Sequence, residues 1–106
     1  MKITITESAK VGLFEIYIHQ LDYSEKYADD FQYNIDYFIV KNLSSFPKIG
    51  HLFNKDKGLY RLIYETRYNI YYQIEEEDIF VLFIVDGPLN LNTVLLNPNI
   101  QMPSKT

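Results

Sequence analysis

The chain opens on a period of two. Ile3 and Ile5 alternate with Lys2, Thr4 and Thr6, which predicts a short strand. From Ala9 the spacing lengthens: Ala9, Leu13, Ile16, Tyr17 and Leu21 recur three and four apart, predicting a helix over residues 9–20. Ser8 is the expected N-cap, because its hydroxyl can accept from a free N–H of the first turn. Asp22 to Ser24 interrupts the pattern, and Ser24 offers a second cap. Ala28, Phe31, Ile35, Phe38, Ile39 and Phe46 then hold helical spacing for about five turns. Glu25, Asp29 and Asp30 sit early and Lys41 late, which complements the helix dipole. Pro47 forbids continuation, since the residue before a proline is pushed out of the helical region. Two adjacent amphipathic helices with a short joint predict an antiparallel hairpin.

Residues 47–58, "PKIGHLFNKDKG", combine Pro, two Gly and alternating charges and read as a loop. Period two returns after Gly58. Tyr60, Leu62 and Tyr64 alternate with Leu59, Arg61 and Ile63. Glu65 to Arg67 is a tight connection. Tyr68, Ile70, Tyr72 and Ile74 share one face, with Asn69, Tyr71 and Gln73 on the other. Glu75 to Asp78 is a second turn, and Ile79 to Val85 is apolar on both faces, as expected of a strand covered on both sides. The segment from Pro88 onward is rich in Asn, Pro and Leu, and residues 99–106 are expected to be weakly ordered. The predicted order is β-α-α-β-β-β: an α+β domain over residues 1–106, with an N-terminal helix hairpin packed on a twisted antiparallel sheet. The expected core sets Phe31, Ile35 and Phe38 against Leu62, Ile70, Val81 and Phe83.

Composition narrows the classes. The chain has 106 residues, 47% hydrophobic and 23% charged, which suits one globular domain. It has no cysteine, so disulfides and thiolate metal sites are excluded. No apolar run approaches the roughly 18 residues that span a bilayer, and no apolar signal core opens the chain. The expected location is cytoplasmic. Net charge is −4 and the pI about 5.0, against the basic face that phosphate-driven nucleic-acid binding usually requires.

Candidate chemistry is sparse. Arg61 and Arg67 are the candidate catalytic residues, as guanidinium groups able to bind phosphate or a developing charge in bidentate fashion; solvated sheet-edge arginine is the plain alternative. Tyr60, Tyr64, Tyr68, Tyr71 and Tyr72 fit sheet packing, base stacking or a protein interface, because tyrosine buries a large apolar body and keeps a polar tip. His19 and His51 have no second ligand or base at useful spacing. Glu75 to Asp78 places four acids in one turn, where adjacent residues rarely converge on one cation. No metal site and no cofactor is expected, and no phosphate-binding glycine loop, dinucleotide fingerprint or nucleophile elbow is present.

Taken together, "ESA" at the start of the first helix, Pro47 after the long one, then "YRLIY", "RYNIYYQI" and "IFVLFIVD" resemble the RelE/ParE toxin superfamily of bacterial toxin–antitoxin, or plasmid stabilisation, modules. The resemblance runs from Ile3 to about Pro98. It implies a compact toxin wrapped by an extended segment of a cognate antitoxin: monomer or homodimer when free, hetero-oligomer when neutralised. Some members cut messenger RNA on the ribosome and others act on DNA gyrase. The cutters share a basic set, of which Arg61 matches one position. Asn69 stands where the family usually has Arg, and Pro88 where Arg follows the last strand. These departures favour a ParE-like toxin acting by protein–protein interaction over a RelE-type ribosome-dependent endoribonuclease. Tyr60, Arg61, Tyr64 and Tyr71 are the expected partner-binding residues. The acidic net charge predicts a partner segment that is less acidic than is usual for antitoxins, or one that docks through apolar contacts.

Overall fold

The computed structural model describes residues 2–87 and 103–106. Its order is β1 (Ile3–Ile5), α1 (Glu7–Leu21), α2 (Glu25–Ser45), β2 (His51–Asn54), β3 (Leu59–Tyr64), β4 (Tyr68–Glu75) and β5 (Asp78–Asp86). The strands form one sheet in the order β1-β5-β4-β3-β2. The hairpin meander β3-β4-β5 is antiparallel as expected, but β1 pairs parallel with β5, so the sheet is mixed. The α+β class stands. A fifth strand, β2, lies in the segment read as loop. His51, Leu52 and Phe53 are too few to show a period, and β3 recruits them by pairing His51 with Arg61 and Leu52 with Tyr60.

α1 begins earlier than its apolar spacing indicates. Thr6, not Ser8, is the N-cap: its Oγ1 accepts from Ala9 N–H at 3.4 Å and donates to the Val81 carbonyl at 2.8 Å. Ser8 lies inside the helix and donates to the Leu82 carbonyl at 2.7 Å. Ser24 caps α2 as expected, accepting from Tyr27 N–H at 2.8 Å.

The two hydroxyl bonds from α1 fall on a β-bulge. Tyr71 pairs with Phe83 and Tyr72 with Val81, leaving Leu82 as the extra residue of β5. The bulge reverses which side chains face the helices. Ile79, Val81 and Ile84 join the main core, whereas Phe80, Leu82, Phe83 and Val85 join a second cluster on the far face. The expectation that Phe83 packs against α2 is therefore corrected: strict alternation from Val81 fails at Leu82.

The rest of the expected core is in place. Phe31, Ile35, Leu62, Ile70 and Val81 are buried in one cluster with Ile39 and Leu43, and Phe38 packs against it half-buried. Phe31 meets the rings of Tyr68 and Tyr64 at centroid distances of 4.6 and 6.0 Å. Phe46 is exposed, because α2 stops at Ser45 and the chain turns away at Pro47. The connection at Glu65 and Thr66 has φ of 54° and 57°, the left-handed geometry of a hairpin turn. Of the C-terminal expectation, residues 99–102 lie outside the described residues. Residues 103–106 form neither helix nor strand, and the Thr106 carbonyl accepts from Glu7 N–H.

Candidate functional site

The expected partner-binding residues do not share one surface. Tyr60 and Tyr64 lie on the helix-covered face. Tyr60 stacks on Tyr72 at 5.3 Å, and Tyr64 leans on Phe38 at 4.8 Å. Arg61 points to the far face, with its guanidinium 5.3 Å from the Phe53 ring centre. Tyr71 shares that far face but is only 1% exposed, buried with Leu59 and Leu82. It is a packing residue, and the expectation that it anchors a partner is withdrawn. Burial pushes its hydroxyl pKa up, against a hydrogen bond from Arg61 that lowers it.

Arg67 lies elsewhere. A crevice of about 640 Å³ separates the α1–α2 joint from the ends of β4 and β5. Its walls include His19, Tyr23 and Tyr27 on the helical side, and Arg67, Tyr68 and Asp86 on the sheet side. Arg67 donates from Nε to Asp86 Oδ1 at 2.6 Å and from its terminal nitrogen to Oδ2 at 2.8 Å. This bidentate pair raises the arginine pKa further above its ordinary value. The guanidinium also lies 5.4 Å from the Tyr68 ring centre. Tyr68 accepts from Gln20 Nε2 at 3.1 Å, and burial pushes its pKa up.

Asn69, at the position where the resemblance calls for Arg, is 8% exposed and bonded within the fold. Its amide donates to the Gly87 carbonyl at 2.6 Å, while Gly87 N–H donates to the Arg67 carbonyl at 2.9 Å. It fastens the exit of β5 to the entry of β4. Arg61 and Arg67 are about four strand residues apart, roughly 13 Å, with Arg61 on the far face. The two candidate catalytic arginines do not converge. Pro88 lies outside the described residues. His19 and His51 are both exposed and far apart in the fold, one in the last turn of α1 and one on β2. Among the described residues no group of three or more His, Cys, Asp or Glu side chains is placed to hold a metal ion.

One surface feature was missed in the sequence. Val11, Phe14, Ile18 and Leu21 are exposed, at 56, 60, 47 and 38%. At 100° per residue they form one row on the side of α1 opposite the buried Ala9, Leu13, Ile16 and Gln20. The signal was available, because this row repeats at spacings of three and four like the buried one. It was hidden because the first row already accounts for a helix, and because Leu21, expected in that row, belongs instead to the exposed one.

A solved structure of the chromosomal ParDE TA system from P. aeruginosa is similar to this chain. The TM-score is 0.70 at 20% sequence identity, covering 83% of this chain and 97% of that chain. The chain shares its fold with that structure. No protein-family model matches the chain, and no curated protein matches it. Within this fold, the crevice at the end of β5 holds an arginine paired with Asp86, and α1 turns an apolar row outward. No helix among the described residues is long and apolar enough to cross a membrane.

Proposed function

We propose that this chain is the toxin domain of a type II toxin–antitoxin module and that its principal activity is binding. An antitoxin segment covers the outer row of α1, and the toxin reaches its target through protein–protein contact rather than by cutting RNA. The observation that carries this reading is the second apolar row. A helix that is apolar on two opposite sides has one side packed on its own sheet and one side in want of a partner. An amphipathic helix laid on Val11, Phe14 and Ile18 is a standard recognition mode. The likeness in fold to a ParDE system supports a partner of this kind.

Binding is favoured over RNA cleavage by the distribution of cations. A transition state at phosphorus needs several convergent donors, and losing one well-placed donor commonly costs about 10²–10³ in rate. Arg67 is committed to Asp86, Asn69 is committed to Gly87, and Arg61 faces the other way.

Co-expression with the product of the adjacent gene, followed by pull-down, is the direct trial. A complex should form, and Phe14→Asp with Ile18→Asp should abolish it while leaving the circular dichroism spectrum unchanged. Tyr60 and Tyr64, half-buried on the helix-covered face, remain secondary anchors, and Tyr60→Ala should weaken the complex. A complex indifferent to all of these changes would remove the docking surface from consideration. Codon-specific cuts in a translation extract, lost in Arg61→Ala, would instead establish the RelE-type endoribonuclease.

A further inference from the structure

The net charge of −4 conceals a strong segregation. Between Phe46 and Ile63 the chain carries Lys48, Lys55, Lys57 and Arg61 against the single acid Asp56, a net of +3. The other six cations stand against thirteen acids, a net of −7. The four ion pairs among the described residues use Lys10, Lys26, Arg67 and Lys105, all outside the basic segment. None of the four cations inside it meets a carboxylate among the described residues, and residues 88–102 contain no Asp or Glu.

The basic segment contains β2, the last strand in the sheet order, whose outer side no described strand pairs. Both ends of β2 are fixed. The Tyr72 hydroxyl accepts from Gly50 N–H at 3.0 Å and donates to the Pro47 carbonyl at 2.8 Å. At the other end Asn54 Oδ1 accepts from Lys57 N–H at 3.0 Å, and Gln73 donates to the Lys57 carbonyl at 2.6 Å. Lys48 precedes the strand and Lys55 and Lys57 follow it. The register places His51 beside Arg61 and Leu52 beside Tyr60, with Leu52 and Ile49 exposed.

We infer that this edge takes an acidic, extended segment of a protein partner as a sixth strand. Alternate residues of an added strand point to opposite faces. Acidic side chains would meet Arg61 and the flanking lysines, and apolar ones would cover Leu52. Backbone pairing supplies attachment, and the cations select the segment by charge. The expectation of a weakly acidic partner came from the net charge, and the segregated charge reverses it for this edge. RNA is disfavoured, because outside this segment of four cations the chain carries a net charge of −7. The inference rests on the binding reading above only for the origin of the segment.

The trial uses the whole chain, isotope-labelled, with a blocked peptide of about eight alternating Val and Glu residues, long enough to span Lys48 to Lys55. Slowed amide exchange confined to His51–Asn54, and at least about tenfold weaker binding by Lys48→Glu/Lys55→Glu/Lys57→Glu, are the expected results. The inference is overturned if the peptide does not bind, if protection maps elsewhere, if the triple variant binds equally, or if a Val–Lys peptide or a uridine decamer binds better. The decisive pull-down variants, Phe14→Asp and Ile18→Asp, lie on α1 and the peptide variants flank β2, so either reading can fail while the other holds.

Discussion

Gly12→Ala should destabilise the protein, although helix propensity alone predicts the opposite. In an exposed helix interior this change gains about 0.8–1 kcal/mol. Here an added Cβ falls well inside contact distance of the Ile84 carbonyl oxygen. That carbonyl belongs to a strand held by β4 through the Ile70–Ile84 pairing, so it cannot rotate away. α1 must instead back off by about 1 Å to restore van der Waals separation. Such a shift stretches the hydroxyl bonds from Thr6 and Ser8 to the Val81 and Leu82 carbonyls, now 2.8 and 2.7 Å, beyond useful length. Each contributes about 1 kcal/mol, and overpacking of this kind costs about 1–3 kcal/mol. The propensity gain offsets only part of this combined cost of about 3–5 kcal/mol, and the expected net loss is about 2–4 kcal/mol. Urea titration followed by circular dichroism should show a lower midpoint at unchanged slope, and Tm should fall by about 4–8 °C per kcal/mol. Glu15→Ala, on the exposed side of the same helix, is the control and should stay within about 0.5 kcal/mol. A Gly12→Ala protein as stable as the parent, or more so, would refute the close approach of α1 to β5.

Phe31→Ala should cost about 3–5 kcal/mol in the same titration, because Phe31 is 4% exposed and lies between α2 and the Tyr64 and Tyr68 rings. Tyr72→Phe should cost about 1–3 kcal/mol by leaving the Pro47 carbonyl without its donor and Gly50 N–H without its acceptor, and should speed amide exchange at Gly50. Alkaline titration should show a stability cliff. Burial raises the folded pKa values of Tyr68, Tyr71 and Tyr72, so the native state holds those protons longer than the unfolded chain does. Their contribution to stability should be fully present below about pH 10, the ordinary tyrosine value, and be lost as pH rises through the folded values.

The helix pair and the three-strand meander were legible because each is a long run with one dominant period. The missed features have specific causes. β2 is four residues long and gains strand character only from β3. The parallel pairing of β1 depends on a partner more than seventy residues away, which no local pattern encodes. The bulge at Leu82 is silent because "IFVLFIV" is apolar at every position, so a one-residue slip leaves the pattern unchanged while exchanging the faces. Tyr71 was assigned to the correct face, but that face proved to have a core of its own. For the site, Arg61 and Arg67 could be found by residue type. Their separation and the claim of Asp86 on Arg67 are tertiary facts.

The bulge also decides what the crevice can do. Along an unbroken β5, the residues in phase with Ile79 and Val81 would be Phe83 and Val85, and Asp86 would point to the far face. The extra residue at Leu82 shifts the phase, so that Ile84 faces α1 and Asp86, two residues on, reaches the helix side beside Tyr23 and Tyr27. Arg67 is thus met by a carboxylate on the side where a phosphate would otherwise approach it. The same bulge presents the Leu82 carbonyl to Ser8 and sets β5 under Gly12, which fixes how closely α1 lies and therefore which side of α1 remains outside. One inserted residue in the last strand neutralises the crevice cation and seats the helix whose outer row is exposed. Both consequences favour the proposed binding role over phosphate chemistry, because the crevice cation is already paired and an apolar row of α1 stays exposed.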